Sequence, residues 1–178
     1  MNEESNEESN STSSTLAAWY AIQTRYRFER KVTKQLHGRG WQTFLPQLNT
    51  VHRWSDRQKR VESPLFPGYT FVRLDPSSLA KKQFLKNEGV IGLISFGGTP
   101  FPVPDRQIDD LQRLLSQDMP CSLHPFLQVG KRVRIRGGCL DGLEGILEET
   151  GHKNLVISID SIHRAVAIRI EGYELQLI

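Results

Sequence analysis

Cysteine is scarce in this chain: Cys121 and Cys139 are the only two in 178 residues, at neither disulfide-framework nor metal-ligand spacing. That excludes a stapled secreted scaffold and favours a reducing cytosol, with both thiols read as inert packing. Long apolar runs are missing too. No stretch approaches the ~20 residues of a membrane span. The N-terminus lacks a basic segment followed by an apolar one, so no secretory signal is expected and a cytoplasmic location is. Catalytic patterns are equally absent. His37, His52, His124, His152 and His163 are scattered without partners at ligand spacing. Gly137-Gly138 is followed by neither a lysine nor a helix, so it is no phosphate cradle, and no nucleophile motif occurs. Asp109-Asp110 lies on a predicted helix, where adjacent residues do not share a face. The chain therefore reads as a binding protein, not an enzyme, with no cofactor and no metal.

What is present is unevenly charged. Residues 1–18 hold four glutamates and no Lys or Arg. Residues 19–118 hold sixteen Lys/Arg against nine Asp/Glu, and residues 119–178 hold seven of each. The basic middle is the part expected to lie against a polyanion.

Residues 1–15 repeat Asn-Glu-Glu-Ser, run into Ser/Thr, and bury too little to order themselves, so they read as a disordered acidic tail. Trp19 to Thr24 has strand composition. From Arg27 the period changes: Phe28, Val32 and Leu36 recur at helical spacing, with Arg30, Lys31 and Lys34 on other faces and Gly38 and Gly40 as the stop. Trp41 to Leu48 reads as a strand running into Pro46. The polar stretch from Asn49 to Glu62 reads as an exposed hairpin turning at Ser55-Asp56. Trp54 within it either stacks on a base or covers its own hairpin. Asp75-Pro76-Ser77-Ser78 starts a helix running through Leu79, Phe84 and Leu85 to Asn87. A strand from Gly89 to Phe96 follows, broken at Gly97-Gly98. A third helix begins at Val103-Pro104-Asp105 and carries Ile108, Leu111, Leu114 and Leu115 on one side. This is an α+β unit over 16–117, an antiparallel sheet with packed helices.

The stretch Pro64-Leu65-Phe66-Pro67-Gly68-Tyr69-Thr70-Phe71-Val72 organises that unit. Phe66-Pro67-Gly68 is a forced turn, because proline fixes φ and glycine admits angles other residues avoid. Tyr69, Phe71 and Arg73 then alternate with Thr70, Val72 and Leu74. Val72 and Leu74 suit a core face. Either Tyr69 and Phe71 point outward beside Phe66, as a docking patch, or the strand is buried on both faces.

Residues 118–128, with Pro120 and Pro125, read as a linker. Beyond it, 129–178 is all β: Val133 and Ile135 alternate with arginines, a glycine-rich turn spans 137–142, and further strands follow at 143–147, 154–159, 165–170 and 173–177. Five short strands in about 50 residues make a small barrel near the lower limit for independent folding. Val133, Ile135, Val156, Ile157, Ile159, Val166 and Ile168 are β-branched and favour it.

Both halves, in order, resemble the NusG family of transcription elongation factors. In the first half the resemblance rests on Trp19-Tyr20, Pro64-Leu65-Phe66-Pro67-Gly68-Tyr69, Gly89-Val90 and Phe96-Gly97-Gly98 with Pro100 and Val103-Pro104. In the second it rests on Val129-Gly130, Val133-Arg134-Ile135 and Gly142-Leu143-Glu144-Gly145, which is similar to a KOW motif. The resemblance implies a first domain that docks on the clamp helices of bacterial RNA polymerase and suppresses pausing or termination. Phe66, Pro67, Tyr69, Phe71 and Phe96 then supply the contact. It also implies a course near upstream or non-template DNA, or nascent RNA. Arg25, Arg27, Arg30, Lys31 and Lys34 are the first phosphate candidates and Arg53, Arg57, Lys59 and Arg60 the second. Glu88 stands where some operon-specific relatives carry arginine. Leu140 and Leu143 flank the turn where relatives expose apolar side chains to the termination factor Rho or a ribosomal small-subunit protein; alternatively both fill the barrel end. The turn wording and short hairpin resemble RfaH-like and polysaccharide-operon paralogues, acting as monomers. The competing reading is a ribosome-associated or RNA-binding KOW protein held by charge alone.

Overall fold

The computed structural model describes residues 17–53, 58–75, 85–117, 119–149 and 152–178. The acidic tail, Trp54, Arg57 and most of the helix expected after Asp75 lie outside them. Strand β1 (Ala18–Thr24) is the centre of the first sheet, flanked by β5 (Tyr69–Leu74) and β6 (Val90–Leu93). β2 (Gln42–Phe44) extends the sheet beyond β5, and the short β9 (Pro102–Val103) pairs with the start of β1. β3 (Gln47–Arg53) and β4 (Gln58–Pro64) form a separate hairpin, and β7 (Ser95–Phe96) with β8 (Thr99–Pro100) a smaller one. The single strand expected over Trp41–Leu48 is thus two, interrupted at Leu45-Pro46. The Gly89–Phe96 strand likewise splits at Ile94, whose amide donates to the Ala21 carbonyl at 2.9 Å.

Register sorts the side chains of this sheet. Tyr20 pairs with Val72 and Ile22 with Thr70, so these four share a face. Helix α1 (Glu29–His37) lies on it, and Val32 and Leu36 join Tyr20, Ile22, Val72 and Leu74 in one buried cluster. The opposite face carries Trp19, Ala21, Phe71 and Tyr69, and it is covered as well. Leu65, Phe66, Val103 and three residues of helix α2 (Asp105–Ser116), Ile108, Leu111 and Leu114, complete a second cluster there. The strand is therefore buried on both faces, and the outward orientation considered for Tyr69 and Phe71 is not adopted: Phe71 is fully buried and Tyr69 half-buried. Period-2 alternation separates the two faces correctly. It carries no information about whether a distant helix covers the second one.

That second cluster does not stop at the first domain. It runs on into Val133, Ile135, Leu140, Leu143, Leu155 and Ile157 of the C-terminal half, so the two halves share one apolar core. The C-terminal half is a six-stranded antiparallel sheet ordered β10-β14-β13-β12-β11-β15. Its members are β10 (Cys121–His124), β11 (Lys131–Arg136), β12 (Glu144–Glu148), β13 (Asn154–Ile159), β14 (Arg164–Arg169) and β15 (Glu174–Leu177). Five match the expected strands. The sixth, β10, arises inside the stretch read as a linker and pairs with β14 through Cys121–Ile168 to His124–Ala165. Its His124 Nε2 lies 3.1 Å from both carboxylate oxygens of Glu148, which anchors the strand's end to β12. A 3-10 turn, Asp160–Ile162, joins β13 to β14. Among the described residues no helix is long and apolar enough to cross a membrane.

Candidate functional site

The Phe66–Tyr69 turn is held from three sides. The Tyr69 amide donates to the Phe66 carbonyl at 3.1 Å, with Pro67 and Gly68 as the central residues and Gly68 at φ +85°. That combination is the signature of a type II turn, in which the third position must adopt positive φ. The Gly68 amide donates to Glu29 Oε1 at 2.7 Å, and the Gly68 carbonyl accepts from the Thr24 amide at 2.8 Å. Glu29, only 3% exposed, thus ties the first turn of α1 to the organising turn. The sequence reading missed it, although an acidic residue opening a basic helix was the available signal.

The aromatic residues divide by exposure. Phe66 meets Phe71 edge-on at 6.5 Å between centroids, and Phe71 stacks with Phe44 at 6.2 Å. Phe66 and Phe71 are a buried bed, each worth about 2–3 kcal/mol of burial. Pro67 is exposed at the apex and Tyr69 is half-buried beside it. Phe96, at the tip of the β7–β8 hairpin, is 83% exposed, and Ile91 on β6 is 56% exposed. Of the five residues expected to meet a polymerase, Pro67 and Phe96 are presented to solvent, Tyr69 partly, and Phe66 and Phe71 not in this arrangement.

The first basic set is brought together. Arg25, Arg27, Arg30, Lys31 and Lys34 are all exposed along the β1–α1 connection and the outer side of α1. Arg30 pairs with Glu62 at 2.8 Å and Lys31 with Glu88 at 2.7 Å. The lysine beside Glu88 holds that carboxyl below its ordinary value. Both pairs are solvent-facing and tether the helix only weakly, Arg30 to strand β4 and Lys31 to the turn before β6. Arg27 takes φ +67° and sits 5.4 Å over the Tyr26 ring, which is itself 70% exposed. An aromatic ring beside a run of cations is suited to nucleic acid. Of the second set, Arg53 opens opposite Gln58, and Lys59 and Arg60 pair through the backbone with His52 and Val51.

At the C-terminal turn, Leu140 and Leu143 are both fully buried, in keeping with the end-filling alternative. The turn abuts α2. Arg113 Nη1 donates to the Asp141 carbonyl at 2.5 Å, and Arg106 Nη2 reaches the Gly142 carbonyl at 3.5 Å. Arg106 also pairs with Glu144 Oε1 at 2.6 Å, and Gln107 Nε2 donates to Asp160 at 2.9 Å. Glu144 accepts from Arg134 as well, its own cross-strand neighbour. Burial pushes the Glu144 carboxyl up, but the two guanidiniums outweigh it and hold the group below its ordinary range. Asp110, 3.7 Å from Arg106 Nε, has the opposite balance. Burial drives it up to about 6, against Arg106 and Arg113 and with help from Glu144 and Asp109. A cleft of about 530 Å³ opens beside this knot, lined by Gln107, Asp110, Arg132, Glu144, Val156 and Asp160 among others.

Comparison with known proteins agrees with this architecture. A family model described as "Transcription termination factor nusG" matches residues 17–112. The transcription termination/antitermination protein NusG of Borreliella burgdorferi is 24% identical over 90% of this chain and 98% of its own. That of Lactococcus lactis is 26% identical over 89% and 91%. A solved structure of Thermotoga maritima NusG, described for its domain interaction, superposes with a TM-score of 0.54 at 23% identity. It covers 89% of this chain and 96% of that one, a likeness of fold. The family match spans β1, the Phe66–Tyr69 turn, the β7–β8 hairpin and most of α2, more than half the chain, and the protein belongs to the NusG family of transcription factors.

Proposed function

We propose that this chain is an elongation or antitermination factor that holds the clamp helices of bacterial RNA polymerase and recruits a further protein through its C-terminal turn. The observation that carries the reading is the 83% exposure of Phe96, a ring presented to solvent while Phe66 and Phe71 are buried. A ring presented to solvent on a short hairpin has the make-up of an interface anchor, and the half-exposed Tyr69 and the apical Pro67 would add to it. Phe66 and Phe71 then act from beneath, fixing the turn, and come into contact only if the shared core loosens. Arg25, Arg27, Arg30, Lys31 and Lys34, with Arg53, Arg57, Lys59 and Arg60, would lie along DNA phosphates and position the factor without reading sequence. Binding one polymerase conformation better than another shifts the pausing equilibrium without any chemistry.

The C-terminal turn, with Leu140 and Leu143 behind it, would take Rho or a ribosomal small-subunit protein after leaving α2. A gel shift with reconstituted bacterial elongation complexes tests the polymerase contact. Phe96→Ala/Tyr69→Ala is expected to abolish binding while circular dichroism stays native. Binding that ignores both rings and vanishes with added salt would instead identify an RNA-binding or ribosome-associated protein held by charge.

A further inference from the structure

The β1–α1 connection and the outer side of α1 carry more positive charge than the fold around them answers. Arg25, Arg27, Arg30, Lys31 and Lys34 all face solvent there. Glu62 and Glu88 meet two of them, at Arg30 and Lys31. Arg25, Arg27 and Lys34 have no carboxylate within ion-pair distance among the described residues, so five cations against two carboxylates leave a surplus of three. The surplus is fixed in place, because α1 packs on the sheet through Val32 and Leu36 and Glu29 locks its first turn to Gly68. Arg30 and Lys31 each stand one turn from Lys34, like-charged pairs that a nearby anion relieves. The matching negative charge lies in the same chain. Residues 1–16 hold Glu3, Glu4, Glu7 and Glu8 with no Lys or Arg, and lie outside the described residues. Ala18 and Trp41 pack into the cluster beneath α1, and the Trp41 amide donates to the Leu36 carbonyl near the C-terminal end of the helix. The acidic segment therefore enters the fold beside that end. Its glutamates fall nine to fourteen residues before Ala17. A polar chain of that length averages about 15–22 Å end to end and reaches at most about 30–50 Å. The far end of the basic face, Arg25, is about 23 Å along the strand from Ala18. Length and span match, which is where a tether gives its highest local concentration. Residues 119–178 hold seven charges of each sign and offer no such surplus.

We infer that residues 1–16 lie along the exposed face of α1, their four carboxylates standing where nucleic-acid phosphates would, until a polyanion displaces them. The displacement rests on the phosphate reading of that face proposed above; the contact between segment and helix does not. Four negative charges opposite a surplus of three neutralise the face while no nucleic acid is near. A nucleic-acid strand brings a charge at every nucleotide and gains further by releasing its counterions, so it wins when it is held close. Brief encounters with stray nucleic acid lose to the tethered segment. The acidic repeat thereby sets a threshold for binding.

The test compares the full chain with Glu3→Gln/Glu4→Gln/Glu7→Gln/Glu8→Gln, which keeps the length of the segment and alters no described residue. At about 10 mM salt, where charges act over about 30 Å, amide chemical shifts from Arg25 to His37 should differ between the two proteins. At about 1 M salt, where the range is about 3 Å, they should coincide. A fluorescein-labelled oligothymidylate should bind the variant more tightly at low salt, by roughly threefold or more. The variant's log K should also fall more steeply with log salt, because no internal anion has to be displaced. Amides of α1 that do not change, or equal affinity of the two proteins at low salt, would overturn the inference. If the α1 amides shift but neither protein binds the oligonucleotide, the phosphate reading fails and the displacement with it, a failure distinct from a segment that never reaches the helix.

Discussion

Asp110 should make the contact between the two halves depend on pH. In the docked chain its carboxyl is pushed up to about 6 from an ordinary 3.8, chiefly by burial, with Glu144 of the other half adding to the rise. A raised acid pKa stabilises the docked form fully below pH 3.8, and the contribution is lost as pH rises through 6. Glu144 works in the other direction: its lowered pKa contributes above about 4.5 and is lost as acid protonates it. Docking is therefore expected to be strongest near pH 5 and to weaken between pH 5.5 and 7. The shift of Asp110 corresponds to about 3 kcal/mol at full burial. Asp110 lines a cleft of about 530 Å³ open to solvent screening, so about 1–2 kcal/mol remains for docking. That is roughly tenfold in the docking equilibrium. Nitrogen-15 relaxation across pH 5 to 8 measures it, since docked halves tumble as one body. Asp110→Asn should stay docked throughout. A variant that keeps the wild-type pH profile, or a wild type with none, would refute the assignment.

Three further outcomes follow from the packing. Phe71→Ala should cost about 3–5 kcal/mol in urea unfolding, because the ring is fully buried between Phe44 and Phe66, whereas Phe96→Ala should change stability by less than about 0.5 kcal/mol. Glu29→Ala leaves the Gly68 amide without its acceptor and should lower stability by about 1–3 kcal/mol, with faster amide exchange at Gly68 as the local readout. Gly145→Ala places a Cβ 2.6 Å from the Val156 carbonyl and 2.9 Å from Leu155 Cγ, so β12 must move from β13; a loss of about 1–3 kcal/mol in thermal unfolding is expected.

Much of the fold could be read locally. The spacing of Val32 and Leu36 gave α1, that of Ile108, Leu111 and Leu114 gave α2, and Phe66-Pro67-Gly68 gave a turn whose geometry is the one proline and glycine demand. The two faces of β5 were also separable. What stayed illegible was non-local. Cys121-Ser122-Leu123-His124 has no strong strand composition, and it becomes a strand because β14, more than forty residues later, offers an edge. Whether Leu140 and Leu143 are exposed depends on where α2 comes to rest, which no window around the turn encodes. The basic side of α1 was legible because exposed charge needs no distant partner, but the two ion pairs that tie it down were not.

The strand β10 has a mechanical consequence. With Cys121 stitched into the second sheet and Ser116 at the end of α2, only residues 117–120 remain as tether between the halves. Five Cα-to-Cα steps reach at most about 17 Å. An undocked half on so short a leash stays at high effective concentration and returns quickly. Peeling β10 from β14 lengthens the leash to the stretch between Ser116 and Lys131 and dilutes the rebinding half. The length of the connection, set by four hydrogen-bonded residues, then governs how fast the two halves find each other again.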